Sequence, residues 1–333
     1  MYTWVDAADD ALFNAHDRAS VRSSKQPCTG KGTDVNAKRD DRVTALHKDL
    51  KMVGNKFPVL DAQAIAATRD ALHSYARVIG AWAAGCRNKR KHWWHASLRP
   101  SLYGLTTGVI HGPADFELEL DFVNSQLHVR SCTTTMSERL AGQASRPLAT
   151  LVRNELVPLG VEESLGPGDK VISDAEYADY SASAATHMHR ALGSVTAVME
   201  DLRAGIREET SPIQVWPHHF DLSMIWLPGH KIIGQDPADE EYSDKQMNFG
   251  FAFGDATIPE PYFYVTAYPL PEALPQLVLP TGTSWQSDAF NGAVTLYSDV
   301  AAMADPHGYL LNVWNELLDA GREHLAVDDE LHV

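Results

Sequence analysis

The sequence predicts an α+β protein in which antiparallel sheets are covered by helices, and three observations carry that expectation. Phe116-Glu117-Leu118-Glu119-Leu120-Asp121-Phe122 alternates apolar with acidic residues, the period of a strand with one face buried. The runs Ile213 to Trp226 and Tyr262 to Tyr268 are rich in aromatic and β-branched residues, as strands are. Apolar residues at helical spacing recur within 65–83, 188–206 and 309–318, each a stripe suited to covering a sheet.

The elements follow in order. Residues 1–56 read as a mobile arm, because Ser20 to Asp41 holds almost no large apolar residue and buries too little to offset the entropy of ordering. Asp61 is placed to cap a helix with Ile65, Leu72, Tyr75, Ala76, Ile79, Trp82 and Ala83 on its buried stripe, ending at Gly85. The basic run Arg87 to Lys91 then sits where the helix dipole favours cations and reads as a solvated helix end. His92 to Arg99 is expected to be a strand, pairing with Leu105 to Ile110 across a turn at Tyr103-Gly104. Asn124-Ser125 should turn the alternating strand into Gln126 to Arg130, a half-exposed hairpin with Glu117, Glu119 and Asp121 facing His128 and Arg130. A helix around Leu148, Leu151, Val152 and Leu156 closes this part near Gly160.

Gly166-Pro167-Gly168 opens the second part, which continues with a long helix striped by Met188, Ala191, Leu192, Val195, Met199, Leu202 and Ile206. Strand text returns at Ile213 to Trp226, and an acidic insertion, Asp236 to Asp244, reads as a surface loop. Phe249, Phe251 and Phe253 alternate, and Tyr262, Tyr264, Thr266 and Tyr268 share one strand face. Pro269 to Pro280 should cross the surface, and Asp305-Pro306 opens the last helix. Both parts thus run helix, Trp-bearing strand, further strands, helix, with Trp94 matching Trp216. That order points to an internal duplication: a lobe at 57–165 and a related lobe at 166–333, packed as one body.

Composition narrows the function. The 333 residues carry a formal charge of −16, which disfavours a nucleic-acid binder, since phosphate neutralisation needs clustered cations. Hydrophobic residues make up 44% and charged residues 22%, ordinary for a soluble globular chain. No apolar run reaches the ~18 residues of a membrane span, and MYTWVDAADD lacks the layout of a signal peptide. Cys28, Cys86 and Cys132 are too few and scattered for a disulfide framework, so a reducing, cytoplasmic setting is expected. Oligomeric state leaves no mark in the sequence. Neither a phosphate-loop or dinucleotide fingerprint nor a G-x-S-x-G elbow is present.

Several short stretches, in this order, resemble an uncharacterised bacterial family, number 5996 in the domain-of-unknown-function series. They are His92-Trp93-Trp94-His95, Gly104 to Gly108, Phe116 to Phe122, Ser211-Pro212, Trp216 with Phe220-Asp221-Leu222, and Glu260 to Tyr264 leading to Tyr268-Pro269. The resemblance covers most of residues 57–320. It implies a shared fold and a shared pocket, and no reaction. Gln214 stands where the family pattern has a histidine, and His218-His219 where it has small residues.

The chemistry candidates follow from strand parity. On a strand His92 and Trp94 would face one side, Trp93 and His95 the other, setting one imidazole beside an indole in a cleft. The same parity puts His219, Asp221 and Ser223 on one face. Were the lobes to meet face to face, His95, His219 and Asp221 would form a two-histidine, one-carboxylate set with open positions for a divalent metal. No other cofactor is indicated. The reading that follows is a protein binding a small organic molecule in an aromatic- and His-lined inter-lobe cleft, with enzyme activity there left open. His95 and Asp221 would be its catalytic residues, and Trp93, Trp94, Gln214, Trp216 and Tyr264 its ligand contacts. The alternatives are a non-catalytic protein-interaction module and a metal-dependent hydrolase or oxygenase.

Overall fold

A computed structural model describes residues 57–162, 172–287 and 290–326. The arm, the Gly166-Pro167-Gly168 loop and Cys28 lie outside them. Helix α1 (Ala62–Cys86) starts where Asp61 accepts hydrogen bonds from the backbone N–H groups of Gln63 and Ala64, the capping expected. A short 3-10 segment, Lys91–Ala96, follows. Strands β1 (Arg99–Pro100), β2 (Gly104–Thr106), β3 (Phe116–Asp121), β4 (Gln126–Ser131) and β5 (Thr135–Arg139) form an antiparallel five-stranded meander. Helix α2 (Ser145–Leu156) and the long α3 (Ala182–Ala204) come next.

The second sheet has seven strands: β6 (Glu209–Thr210), β7 (Gln214–Trp216), β8 (Asp221–Leu227), β9 (Gln246–Ala252), β10 (Tyr262–Tyr268), β11 (Thr283–Gln286) and β12 (Gly292–Leu296). Its order is β11-β12-β10-β9-β8-β6, with β7 also paired to β8, and all pairings are antiparallel. The helices α4 (Glu240–Ser243), α5 (Tyr297–Ala301) and α6 (Pro306–His324) complete the described chain. Pro306 begins α6 and Asp305 accepts the Gly308 N–H as its cap.

One apolar core takes Leu118, Leu120 and Phe122 from the first part together with Leu222, Phe249, Phe251 and Phe263 from the second. On the second sheet, alternation sends Leu222, Phe251 and Phe263 to one face in register. That face meets Trp314 of α6, whose ring lies 6.3 Å from Phe249 and 6.0 Å from Phe263. The two parts are also stitched through backbone: Leu98 and Val215 exchange N–H···O bonds of 2.9 and 3.0 Å. No described helix is long and apolar enough to cross a membrane.

Two expectations change. His92 to Arg99 is not a strand. His92 and Trp93 have φ of 48° and 58°, left-handed values that bulky residues adopt at a cost of about 1–2 kcal/mol each. Only Arg99 and Pro100 join the sheet, pairing with Thr106 and Leu105. Second, Ile213 to Trp226 is a hairpin rather than one strand, because Trp216 pairs with Asp221 and Pro217 to Phe220 make the turn between them. His218 and His219 therefore leave the strand face. The Pro-rich passage 269–280 crosses the surface as expected, with Leu274 its one buried residue. Trp94 lies on the 3-10 segment and Trp216 on a strand, so the proposed duplication pairs unlike elements there.

Candidate functional site

The residues singled out above divide into two groups. The first surrounds a cavity of about 400 Å³ between the 3-10 segment and the acidic insertion. Lys89, Arg90 and Lys91 form one wall, Trp93 and His95 its floor, and Asp239, Glu240 and Glu241 the opposite wall. The acidic insertion is therefore a built part of the structure rather than a loop alone: His92 and Asp244 are joined Nε2 to Oδ2 at 2.8 Å, and the Trp93 indole donates to Glu241 at 3.2 Å. These two ties hold the pair of left-handed residues in place. Burial acts to raise the Asp244 carboxyl, but Lys231, 2.5 Å away, and His92 outweigh it and leave it below its usual range.

Within the segment the rings stack in alternate pairs, His92 with Trp94 at 6.0 Å and Trp93 with His95 at 5.5 Å. Parity thus survives without the strand that was invoked for it. Lys89 lies over the Trp93 ring at 5.9 Å and Lys91 over Trp94 at 5.2 Å. Trp94 does not line the cavity, and its buried indole nitrogen has no hydrogen-bond partner among the described residues. The buried His95 ring accepts the Arg90 backbone N–H at its Nδ1, 3.3 Å away. Burial, then the charges of Lys89 and Arg87, push its pKa down to about 4. A neutral His95 with Nδ1 accepting carries its proton on Nε2, so near pH 7 it serves as a hydrogen-bond donor rather than a cation.

The second group lies on the other face of the seven-stranded sheet. Gln214, Ser223, Gly250 and Tyr264 stand in one cross-strand row, and Trp216, Asp221, Ala252 and Tyr262 in the next. Tyr264 reaches across Gly250 and donates its hydroxyl to Asp221. A Cβ on Gly250 would fall 2.0 Å from Tyr264 Cζ, so the missing side chain makes the crossing possible. The Trp216 indole donates to Ser223 Oγ at 2.9 Å. Burial raises the pKa of Asp221, opposed by the charge of His219 and by the Tyr264 hydroxyl. Burial, then Asp221, lifts the Tyr264 phenol well above its usual value. Gln214 Nε2 and Asp221 Oδ1 are buried without a partner among the described residues.

Gln214 links the groups. Its Oε1 accepts from Ser97 Oγ at 2.8 Å and from Arg99 at 3.0 Å, while Arg87 donates to the carbonyls of His95 and Ser97 at 3.2 Å. Gln214 therefore supports the segment from behind and is not among the residues lining the cavity. Asp221, Trp216 and Tyr264 do not line it either. His219 is exposed at the β7–β8 turn, its ring 4.4 Å from that of His218. Among the described residues no group of three or more His, Cys, Asp or Glu side chains is placed to hold a metal ion; His95, His219 and Asp221 are not gathered as a ligand set.

The carboxylates of β3 are occupied as expected: Arg130 meets Glu119 at 2.7 Å and His128 lies 3.5 Å from Asp121. The residues that sequence reasoning left out are the cavity's charged walls. Their signal was present in a basic run beside HWWH and an acidic run of matching size, but nothing local to either run says that they face each other.

The profile of a protein family, described as a family of unknown function (DUF5996), matches residues 57–332. No curated protein and no solved structure matches the chain.

Proposed function

The chain belongs to the family of unknown function DUF5996, and from its geometry we propose that it binds a small organic molecule in the cavity between the 3-10 segment and the acidic insertion. The observation that carries this reading is the pair of consecutive left-handed residues, His92 and Trp93, held at the cavity floor by Asp244 and Glu241. Strain of that kind is kept where the surroundings over-determine it, and such places cluster at ligand sites. The cavity's 400 Å³ falls in the range of small-molecule sites, and the neutral His95 imidazole lining it offers one directed donor. Trp93 and His95 are the ligand contacts on this reading. Gln214 braces Ser97 and Arg99, just after the segment, and Trp216, Asp221 and Tyr264 are not among the residues lining the cavity.

The test fills the cavity without touching its floor. Ala238 is exposed and lines the opening, so Ala238→Trp should block it while leaving the fold intact. Wild-type and variant protein, purified without a histidine tag, are denatured and the released small molecules compared by mass spectrometry. A molecule present with the wild type and absent from the variant, at unchanged circular dichroism, supports the reading. Equal recovery from both proteins overturns it.

A further inference from the structure

We infer that the cavity takes a zwitterion, a compact molecule bearing one anionic and one cationic group; this rests on the binding reading above and names its ligand class. The two walls carry opposite charge, Lys89 and Arg90 on one side and Asp239 and Glu240 on the other. Opposite charges that face one another ordinarily pair. Among the described residues none of the four forms an ion pair, whereas Lys91, beside them, meets Glu209 at 2.5 Å. The walls are instead joined at their base by the ties from His92 and Trp93 to Asp244 and Glu241, which fix them on either side of an open space. A space so built has a field running from one wall to the other. An ion of one sign gains at one wall and loses at the other, but a molecule with both signs gains at both. The floor adds no charge of its own, because His95 is neutral there.

The experiment uses the full chain with ¹⁵N-labelled tryptophan and follows the Trp93 indole N–H by NMR, assigned from Trp93→Phe. The probes are 4-aminobutanoate and 6-aminohexanoate, set against butylamine and butanoate, in low salt. At least one zwitterion should bind tenfold or more tightly than either singly charged probe. Arg90→Gln should weaken the zwitterion and butanoate at least fivefold and spare butylamine, and Glu240→Gln should weaken the zwitterion and butylamine and spare butanoate. A zwitterion that binds no better than the stronger single ion, or that leaves the Trp93 signal unmoved, overturns the inference. If that happens while Ala238→Trp still strips a co-purified molecule, the cavity reading survives and only the charge class falls. If Ala238→Trp changes nothing, both fall together.

Discussion

Replacing Tyr264 with Phe removes one oxygen and no apolar volume, so its effect isolates the hydroxyl that Tyr264 gives to Asp221. Asp221 is 7% exposed and its other oxygen has no partner among the described residues. Leaving a buried acceptor unmet costs about 1–3 kcal/mol, and more when it is charged. The sign of the pH dependence follows from the same pair. Burial holds the folded-state pKa of Asp221 above its ordinary 3.8, and the Tyr264 hydroxyl is one of the groups opposing that rise. A folded pKa above the unfolded one means that stability is lost as pH climbs from 3.8 through the folded value. Without the hydroxyl the folded pKa climbs further and the loss deepens. Tyr264→Phe should therefore cost about 1–3 kcal/mol, more near pH 8 than near pH 5, measured by urea unfolding with tryptophan fluorescence and circular dichroism as paired probes. In an Asp221→Asn background the pH dependence should vanish. A cost that is the same at both pH values, or below about 0.5 kcal/mol throughout, refutes the coupling.

Gly250→Ala should be worse than Tyr264→Phe, because a Cβ 2.0 Å from Tyr264 Cζ displaces the ring and adds overpacking, for about 3–5 kcal/mol in all; in a Tyr264→Ala background the urea midpoint should recover most of that loss. His73, stacked on Phe220 and bonded through Nε2 to the His218 carbonyl at 3.0 Å, is pushed down by burial to about 4. Its unfolded form binds a proton that the folded form refuses, so stability should fall between pH 6.5 and 4 by up to ~1.4 kcal/mol per pH unit, and His73→Gln should flatten that limb of a pH-dependent unfolding series. Trp93→Ala and His95→Ala should each abolish recovery of the co-purified molecule with the circular dichroism of the wild type retained; unfolding of the Trp93 variant would mark that indole as a core residue instead.

The helices were legible because capping and the 3.6-residue stripe are local properties. Asp61 and Asp305 cap where their side chains sit in the sequence, and the stripes of α1, α3 and α6 match the buried positions except at Ile206, past the end of α3, and Tyr309, both half-buried. The β3–β4 hairpin was legible for the same reason, alternation setting which residues share a face, but Glu119 and Asp121 on the face expected to be exposed are buried, and the register of Glu119 against His128 differs from the one a turn at Asn124-Ser125 would give. The misses share a cause. Strand β5 offers one partly buried apolar residue, Met136, in an edge position, too little pattern to separate it from a loop. The Pro217 to Phe220 turn hid inside a run of aromatic residues that otherwise suits a strand, and its marker, φ of 59° at Phe220, is a consequence of packing rather than of residue type.

The site shows the division most plainly. The cluster His92 to His95 announced itself by composition, and the pairing of His92 with Trp94 and of Trp93 with His95 by side was expected, though from a strand that does not form. What lies across from it was not readable, because Glu241 and Asp244 are about 150 positions away and only the closing of the second sheet brings them in. Residue type and short-range spacing determined that this chain is an α+β body with capped helices and a polar–aromatic segment. Long-range packing alone decided that the segment takes a left-handed turn, that it faces an acidic wall, and that Asp221 is buried against Tyr264 on the second sheet. A side chain's own chemistry travels with the sequence, whereas its partners depend on which distant surfaces must be buried together.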